Sequence, residues 1–472
     1  MSVSAAAPAS VEERQGGGGS FTPAQATAVV EPWKRLGVAF GRRLLLLLAV
    51  GLVWVAPAFR DRRFLFGMLL WDALLLVAWA LDLRGLPHPS RVRITRRWLE
   101  PLALAVDSQV QVFIENSSSS PITVRMVDAL PTALRASPTE LTVDATPGES
   151  SVAYDVHPSR RGDAICGYVF LRYQSGLALA ERWARADLRQ LVRVYPNLKE
   201  AERDSIYLMR SRQIEMEKRF LRLRGEGREF ESLREYHPGD DLRDICWTAT
   251  ARRAKPITKI YQIERSQPVW LVLDCGRLMR TRVGEYSKLD SAVNAALSLA
   301  EVAIFSGDRV GLLAYGRSLK ALVPPGRGSA QVRRIIERLA LVQEEVPEAD
   351  HLHASSALLA RQRRRALVIW LTDLAETAMM PEVVQGAMKL IPPHLLLFVA
   401  ISQPDLRSLA GGEPQSPESM FKIAAAQELI NRRERLLAQL RERGALAVEC
   451  DWRSLSTTLV NEYLKLKEQS RI

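Results

Sequence analysis

The sequence predicts an α/β fold in which a doubly wound sheet follows a transmembrane helical hairpin and a β-sandwich domain. Three observations predict this order. Two long apolar runs lie within residues 41–83, short strands of alternating polarity fill residues 89–196, and strands alternate with amphipathic helices across residues 263–472. Residues 1–40 are rich in Ala, Ser, Pro and Gly, so we expect a disordered tail there.

The two apolar runs are Leu44–Phe59 and Phe64–Leu83, and a helix that spans a membrane needs about 20 residues. The first run is short, but arginines before it can extend its reach by placing their charged ends among the headgroups. A cleavable signal peptide is the alternative, since Ala56–Ala58 resembles a cleavage site. Roughly forty residues precede the run, which is too many for a signal peptide. We therefore expect two spans joined by Arg60–Arg63.

Basic residues flank the hairpin on both sides and outnumber the three arginines of its connecting loop. Because Lys and Arg are retained on the cytoplasmic side, both termini are predicted to be cytoplasmic, and the lipid bilayer is a predicted partner. Asp72 lies in the middle of the second run, where a carboxyl group is costly. It could mark a proton path or an oligomer contact; more often, a single residue of this kind is protonated or faces a neighbouring helix. The flanking basic residues are Lys34, Arg35, Arg42, Arg43, Arg84, Arg91, Arg93, Arg96 and Arg97.

The net charge of +12 would suit either nucleic acid or an anionic membrane surface. The basic run Arg361–Arg365 has no interleaved aromatic residues, so we interpret it as a solvated helix end and expect no nucleic acid partner. The four cysteines, Cys166, Cys246, Cys275 and Cys450, lie far apart and lack paired metal spacing. This pattern predicts free thiols in a reducing compartment.

The predicted β-sandwich shows no cluster of polar residues that would form a site, so we interpret it as a spacer or docking module. Residues 197–262 link it to the α/β domain. They begin with a predicted charged helix, Asn197–Arg224, whose alternating charges are typical of a solvated face.

A highly charged turn, Arg234–Asp241, follows this helix; it contains a Pro-Gly pair and ends in two aspartates. One of these aspartates is predicted to cap a helix, Leu242–Arg253, whose apolar face packs on a neighbour. An extended run, Ile257–Ile263, and a buried strand, Val269–Leu273, come next. The strand ends at Asp274, and a parallel sheet presents such a residue at its carboxyl edge.

The string REYHPGDDLRDICW, followed by an apolar strand that ends in Asp, resembles the signature of a bacterial family known as domain of unknown function 58 (DUF58). The resemblance covers roughly Leu81 to the C-terminus and is strongest over Gly225–Gly326. Members of this family resemble von Willebrand factor A domains and often accompany MoxR-type AAA+ ATPases. The resemblance therefore implies a von Willebrand A-like domain, a bacterial inner-membrane location, and a MoxR-type ATPase and client proteins as partners.

Strands and helices alternate throughout the predicted α/β domain, which places a ligand crevice at the carboxyl ends of the strands. Two strands end at Asp274 and Asp373, and these residues should approach each other at that edge. The predicted strands are Val269–Asp274, Arg309–Tyr315, Leu319–Val323, Ala366–Thr372, His394–Ile401 and Ala445–Glu449, and the predicted helices are Tyr286–Phe305, Ser329–Val342, Glu418–Arg443 and Ser454–Lys467.

The von Willebrand A resemblance implies a Mg²⁺ site made of the motif Asp-x-Ser-x-Ser, a threonine and a further aspartate. Asp274 and Asp373 match the two aspartates, whereas Gly276 and Leu278 replace both serines and Ser329 is a weak match for the threonine. Two hydroxyl ligands are thus missing, so we expect weak Mg²⁺ affinity at best and no other cofactor. The alternative is that both aspartates cap the helices that follow them.

Two further pairs of residues could carry chemistry. Cys246 and His237 would make a thiol nucleophile and its base, but Cys246 lies on the predicted apolar helix face, which favours a packed cysteine. His351 and His353 would share one side of a strand, yet no third metal ligand is evident.

We predict a membrane-anchored, non-enzymatic scaffold or adaptor that acts with the ATPase in chaperone-like assembly or maturation of proteins. The charged turn is its predicted partner surface, in which Asp241 and Arg243 hold the turn onto the α/β domain while Arg234 and Glu235 face the partner. The alternatives are a metal-dependent protein-binding receptor and a thiol hydrolase. The predicted partner-binding residues are Arg234, Glu235, Tyr236, Asp240, Asp241 and Arg243.

Overall fold

The computed structural model describes residues 25–33, 37–59, 61–197, 229–237, 240–262, 267–374 and 381–469. The predicted linker helix Asn197–Arg224 lies outside these residues, apart from its first residue. The described residues form a curled antiparallel sheet, a helical hairpin, a small charged hairpin and an α/β domain.

An antiparallel sheet of ten strands forms the N-terminal domain. The strands before residue 197 are β1 (Gln25–Pro32), β2 (Val38–Phe40), β3 (Val92–Trp98), β4 (Leu102–Ala103), β5 (Ser108–Asn116), β6 (Ile122–Asp128), β7 (Leu134–Ser137), β8 (Leu141–Ala145), β9 (Gly148–Pro158), β10 (Gly162–Cys166), β11 (Val169–Gln174), β12 (Ala180–Ala186) and β13 (Gln190–Tyr195). The sheet runs β7-β9-β5-β3-β1-β12-β11-β6-β8, β2 pairs with β12, and a smaller sheet runs β10-β13-β4. The predicted alternating strands are confirmed, but the two faces of the expected sandwich belong to one sheet that curls around a single core.

Strand β1 joins the two halves of this sheet. Its residues 25–29 pair with β3 and its residues 30–32 pair with β12, so it turns the corner between the halves. The prediction that residues 1–40 are disordered is therefore wrong for the described part of that segment. Composition could not reveal these strands, because their hydrogen bonds go to strands that lie far along the chain.

The two apolar runs form an antiparallel helical hairpin made of α1 (Arg42–Gly51), α2 (Val55–Ala58) and α3 (Arg63–Gly85), with a 3-10 turn at Leu52–Trp54. Trp71 donates from Nε1 to the carbonyl of Leu47 over 3.1 Å. A Cβ at Gly51 would come within 2.8 Å of Trp71 and 3.4 Å of Asp72, so glycine permits this close approach and Asp72 faces the neighbouring helix. Within the described residues, α3 is the one helix that is long and apolar enough to cross a membrane.

The charged turn lies in a small hairpin of β14 (Glu229–Glu235) and β15 (Ile257–Gln262). The predicted single helix Leu242–Arg253 is wrong, because the structure has a 3-10 turn at Leu242–Asp244 and a short helix, α4 (Trp247–Arg253). The break has a backbone cause. Ile245 forms a bridge with Thr258, and the Cys246 N–H donates to the Ile257 carbonyl over 2.7 Å, so neither residue can continue a helix.

A six-stranded sheet with helices on both faces confirms the predicted α/β alternation. Its elements are β16 (Pro268–Asp274), a two-stranded hairpin of β17 (Arg282–Val283) and β18 (Tyr286–Ser287), α5 (Lys288–Phe305), β19 (Arg309–Tyr315), β20 (Leu319–Gly326), α6 (Gly328–Leu341), α7 (His351–Arg361), β21 (Leu367–Thr372), α8 (Pro381–Leu390), β22 (Leu395–Ile401), α9 (Pro404–Ala410), α10 (Pro417–Glu442), β23 (Leu446–Cys450) and α11 (Leu455–Glu468). The strand order is β20-β19-β16-β21-β22-β23, and only β20 is antiparallel to its neighbour.

The sequence-based prediction lacks helix α8 and contains only the end of helix α7, at Arg361. They pack on the sheet face that carries Trp270 and Trp370, and they contribute Leu358 and Val383 to its core. His351 and His353 therefore belong to a helix, and the expectation that their rings share one side of a strand is wrong. A helix rotates about 100° per residue, so side chains two positions apart point in different directions.

A buried arginine joins the curled sheet to the α/β domain. Arg161 donates from Nε to Asp290 Oδ1 over 2.5 Å and from Nη1 to the Leu339 carbonyl over 2.7 Å. Asp290 also completes a capping box with Ser287 at the start of α5. An ion pair between Arg193 and Glu337, 2.7 Å long, adds a contact at the surface of the same interface. The N-terminal domain is thus fixed against α5 and α6.

The buried residue His394 should make the stability of the α/β domain depend on pH. Burial lowers the pKa of His394 below its ordinary 6.5, and the Gln362 backbone offsets only part of this effect. The unfolded chain takes up a proton that the folded chain resists, so stability should fall as the pH drops below about 6.5. His394→Gln should show a smaller fall in melting temperature between about pH 8 and about pH 5.5. His353→Gln, at an exposed position, is the control, and equal pH dependence of wild type and His394→Gln would contradict this assignment.

Candidate functional site at the carboxyl edge of the sheet

Asp274 and Asp373 lie together at the carboxyl edge, as the strand ends of a parallel sheet require. Asp274 is the last residue of β16, Asp373 directly follows β21, and these two strands are neighbours. Both carboxyl groups are buried. A buried carboxylate must be hydrogen-bonded or paired with a positive charge, so the groups around each aspartate decide what this edge can do.

Hydrogen bonds hold the Asp274 carboxyl group in place. It accepts from Thr372 Oγ1 over 2.6 Å and from the Gly276 N–H over 2.7 Å. Burial raises the pKa of Asp274, while His351 and the Thr372 hydroxyl act in the opposite direction. Thr372 thus supplies the hydroxyl group that the sequence analysis missed. The one feature of the sequence that could have identified Thr372 is its position directly before Asp373, at the end of a predicted strand.

Ser329, the expected match for the threonine, lies at the wrong edge of the sheet. It sits in the first turn of α6, directly after β20. Because β20 runs antiparallel to β19, its last residue Gly326 pairs with Val310 at the start of β19. Ser329 therefore lies near the amino ends of the parallel strands, at the opposite edge from both aspartates.

A lysine ammonium group occupies the position beside Asp373 where a cation would bind. Lys288, the first residue of α5, is fully buried and donates from Nζ to Asp373 Oδ2. Arg433 donates from Nη1 to Asp373 Oδ1 over 3.1 Å, and its Nε lies 2.9 Å from Glu449 Oε1. Burial lowers the pKa of Lys288, and the adjacent Asp373 carboxylate counters this effect. Two cations and two carboxylates thus form one network, in which Glu449 is half-buried and the other three residues are buried.

The residues at this edge do not fit Mg²⁺. Gly276 and Leu278 offer no hydroxyl groups, and a Cβ at position 276 would come within 2.8 Å of the Ala349 nitrogen, so a serine there would require the backbone to move. The positive charge of Lys288 already neutralises Asp373. The part of the chain that the structure describes contains no group of three or more His, Cys, Asp and Glu residues that could hold a metal ion. Arg277 pairs with Glu348 over 3.2 Å.

A second group of buried polar side chains, joined by hydrogen bonds, lies on the sheet face opposite α5. Trp370 donates from Nε1 to the Tyr315 hydroxyl over 2.7 Å, and this hydroxyl lies 2.9 Å from His351 Nδ1. The His353 backbone instead donates to Asp350, which caps α7. Burial raises the pKa of Tyr315 well above its ordinary value. These buried groups satisfy one another, so they stabilise the core.

The predicted partner-binding residues form local contacts within the charged hairpin. Arg234 pairs with Asp240 over 2.6 Å, and Glu235 pairs with Lys255 over 3.2 Å. Asp240 also accepts from the His237 N–H over 3.0 Å, which together with Arg234 lowers the pKa of Asp240. The backbone of Tyr236, a further predicted partner residue, donates to the Pro256 carbonyl over 2.9 Å.

Asp241 and Arg243 contact each other within the hairpin. The Asp241 carboxylate accepts from the Arg243 N–H over 3.0 Å and thereby caps the 3-10 turn. This contact is local, so the hypothesis that the two residues hold the turn onto the α/β domain is not supported by it. The predicted cap by an aspartate is present, although it caps a 3-10 turn and not a long helix.

Of the apolar face predicted for the helix Leu242–Arg253, Ile245, Cys246 and Ala249 are half-buried and Leu242 points to solvent. Leu242 is 67% exposed and Trp247 is 71% exposed. Cys246 is half-buried, and its Sγ lies 3.6 Å from the Thr248 hydroxyl, which lowers the pKa of the thiol. The ring of His237 is directed to the Glu235 carbonyl at 3.1 Å and not to this thiol. The contact that a thiol hydrolase needs is therefore not formed.

The chain is similar to curated proteins over part of its length. Uncharacterized proteins of Mycobacterium bovis and Mycobacterium tuberculosis are each 28% identical to the chain over 151 residues, which is 32% of this chain and 48% of the relative. The match thus spans about half the length of these curated relatives.

Solved structures similar to the chain include BatB from Bacteroides thetaiotaomicron, at 12% identity and a TM-score of 0.26, covering 42% of this chain and all of BatB. The von Willebrand A domain of SpRpn10 shows 13% identity and a TM-score of 0.25, covering 42% of this chain and 95% of that domain. A PapD-like domain of human CEP192 has a TM-score of 0.17 at 14% identity and covers 22% of this chain and 84% of that domain. Scores this low carry no argument, so the fold assignment rests on the strand order itself.

A family model described as "Protein of unknown function DUF58" matches residues 232–433. The match begins in the charged hairpin and ends at Arg433, so it includes both edge aspartates and Lys288. The chain is therefore similar to the DUF58 family over residues 232–433, which comprise most of the charged hairpin and most of the α/β domain.

Proposed function

We propose that this protein is a membrane-anchored, non-enzymatic scaffold that acts beside a MoxR-type AAA+ ATPase in the assembly or maturation of client proteins. One observation carries the proposal: Leu242 and Trp247 are exposed on a hairpin whose charged side chains pair with one another. The ATPase as partner follows from the family resemblance, and the hairpin supplies a surface suited to a protein partner.

The charged hairpin combines features that favour protein binding. Trp and Arg are enriched among the residues that dominate binding energies, and an exposed tryptophan next to paired charges fits an interface centre with a polar rim. The ion pairs Arg234–Asp240 and Glu235–Lys255 hold the surface in one conformation before binding. Less conformational entropy is then lost when a partner docks.

The buried edge of the α/β domain supports a scaffold more than a receptor. A metal-dependent receptor, the alternative function, would use Asp274 and Asp373 to bind Mg²⁺ shared with a ligand. Lys288 already fills that position from inside the protein, and both aspartates are buried. A protein partner consequently has to bind at another surface.

Membrane anchoring is the second part of the proposal. The described residues contain one helix, α3, that can cross a bilayer, and α1 and α2 pack beside it. We propose that both runs enter the bilayer and that the basic flanks keep both termini in the bacterial cytoplasm. The curled sheet and the α/β domain then lie on the cytoplasmic side of the inner membrane.

Substitutions in the charged hairpin should weaken binding of the ATPase without unfolding the protein. Trp247→Ala should lower capture of the MoxR-type ATPase at least tenfold, since an interface tryptophan contributes about 2 kcal/mol or more. Glu235→Lys should weaken capture as well, yet change stability by less than about 1 kcal/mol, because its ion pair is exposed. Affinity capture from detergent and a thermal melt measure both effects.

Two matched controls separate a local effect from a general one. Phe421→Ala removes an aromatic side chain that is 72% exposed elsewhere, and Glu140→Lys breaks an exposed pair with Arg172 on the curled sheet. Both controls should capture the ATPase as the wild type does. If Trp247→Ala and Glu235→Lys also bind normally, the partner surface is not this hairpin.

A fusion experiment tests the proposed topology. A reporter that is active only in the cytoplasm, fused after Ile472, should be active, and a reporter active only in the periplasm should be silent. The physical reason is the excess of Lys and Arg on the flanks of the hairpin. Activity of the periplasmic reporter alone would contradict the cytoplasmic placement.

Titration with Mg²⁺ discriminates the scaffold from the metal-dependent receptor. Calorimetry of the full-length protein in detergent should show no site-specific heat at millimolar Mg²⁺, because Lys288 neutralises Asp373 and two hydroxyl ligands are missing. Tight binding that is lost in Asp274→Ala but retained in Asp405→Ala, an exposed acidic residue on α9, would favour the receptor instead.

A further inference from the structure

We propose that the curled sheet rests directly on the bilayer, with the loop Ser175–Leu179 between β11 and β12 inserted among the lipid headgroups. We call this segment the membrane-facing loop. The inference rests on the proposed membrane anchor, and it adds a second lipid-binding element that does not belong to the hairpin.

The end of the apolar helix α3 is bonded directly to this loop. Asp82, one turn before the end of α3, is buried, and its carboxylate accepts from the N–H groups of Leu179 over 3.0 Å and Ala180 over 2.9 Å. It also accepts from the Ser175 hydroxyl over 2.5 Å. A buried carboxylate with three donors cannot leave its position cheaply. The helix therefore meets the sheet at a fixed joint, without a flexible tether.

The start of the hairpin holds the same loop from the other side. The Gly41 N–H donates to the Leu179 carbonyl over 2.8 Å, and Arg43 donates from Nη1 to the carbonyls of Gly176 and Leu177 over 2.9 and 3.2 Å. A Cβ at Gly41 would come within 2.1 Å of the Ala178 carbonyl oxygen, so only glycine allows this approach. Residues at both ends of the apolar hairpin thus form hydrogen bonds with the loop.

These contacts place the loop at the level where the hairpin enters the membrane. The apolar side chains of α1 become exposed immediately after Arg43, at Leu45 and Leu46, and those of α3 remain exposed up to Leu81. A bilayer that covers these side chains must end near Arg43 and Arg84, whose charges suit phosphate headgroups. The membrane-facing loop lies at that height because Arg43 donates to it.

The surface chemistry of the loop and its neighbour matches the membrane interface. Leu177 is 63% exposed at the loop tip, where a soluble surface would favour a polar residue. Phe40 is also exposed and packs against Trp79 with ring centroids 5.1 Å apart. Aromatic residues of this kind are enriched where protein crosses the boundary between lipid and water. The occupant of this surface is therefore the phospholipid bilayer, continuous with the lipid around α3.

Single-cysteine labelling of the full-length chain in phospholipid vesicles tests the proposal. In a Cys246→Ser background the three remaining cysteines are buried, so an environment-sensitive fluorophore would label one introduced site. The variants are Leu177→Cys in the loop, Leu70→Cys on α3, and Ile165→Cys as the matched control. Ile165 is 70% exposed and lies in β10, which precedes β11, whereas the loop follows the other end of β11.

Quenchers attached to lipids at two depths give the readout. We expect a headgroup-level quencher to reduce emission from position 177, a deep acyl-chain quencher to reduce emission from position 70, and neither to affect position 165. If position 177 behaves like position 165 while position 70 is quenched, the loop does not touch lipid and the anchor stands. If position 70 is also unaffected by the quenchers, the proposed anchor fails and this inference fails with it.

Both outcomes require folded protein. All three introduced cysteines replace exposed side chains, so each labelled variant should melt as the wild type does. A further variant, Asp82→Ala, removes the acceptor that holds the loop to α3. It should reduce quenching at position 177 and leave quenching at position 70 unchanged, whereas equal quenching at position 177 would show that the joint at Asp82 does not set the height of the loop.

Discussion

Buried charge in the first turn of α5 is the constraint on which the arrangement of this protein depends. Lys288 and Asp290 lie two residues apart, and both are withdrawn from water. Neither charge is stable there without a partner. The partners come from separate parts of the chain: Asp373 at the end of a sheet strand, and Arg161 in the N-terminal domain. One helical turn thus sets both the docking of the N-terminal domain and the chemistry of the carboxyl edge.

The position of Lys288 is unfavourable for two reasons, and the surrounding network offsets both. Burial disfavours an ammonium group, and so does the positive end of the helix dipole. Asp373 compensates for the lysine and is shared with Arg433, which in turn lies beside Glu449. In open α/β sheets this edge binds ligands. Here the side chains of Lys288 and Arg433 already pair with its carboxylate Asp373. This pairing favours the charged hairpin as the proposed binding surface.

Polar anchors of the same kind run from the apolar hairpin to the α/β domain. Asp82 bonds the end of α3 to the curled sheet, and Arg161 bonds the curled sheet to α5 and α6. Each is a buried charge that meets several partners, so each joint resists rotation. A scaffold that must present one surface to a partner at a defined distance from the bilayer would benefit from such joints.

The sequence by itself determined the local features of this protein. Apolar periodicity predicted the alternation of β16, α5, β19 and β21, since each element buries a face whose spacing is written in its own residues. The ends of two such strands marked Asp274 and Asp373. The charged signature predicted the similarity to the DUF58 family over residues 232–433. The tertiary structure decided which partners these residues contact. At the carboxyl edge, Lys288 lies beside Asp373, and Thr372 rather than Ser329 donates to Asp274. In the N-terminal domain, Arg161 binds a carboxylate 129 residues away, and β1 closes a sheet. Those partners come from distant segments, and a linear pattern does not specify which distant segment a buried charge or an open strand edge will meet.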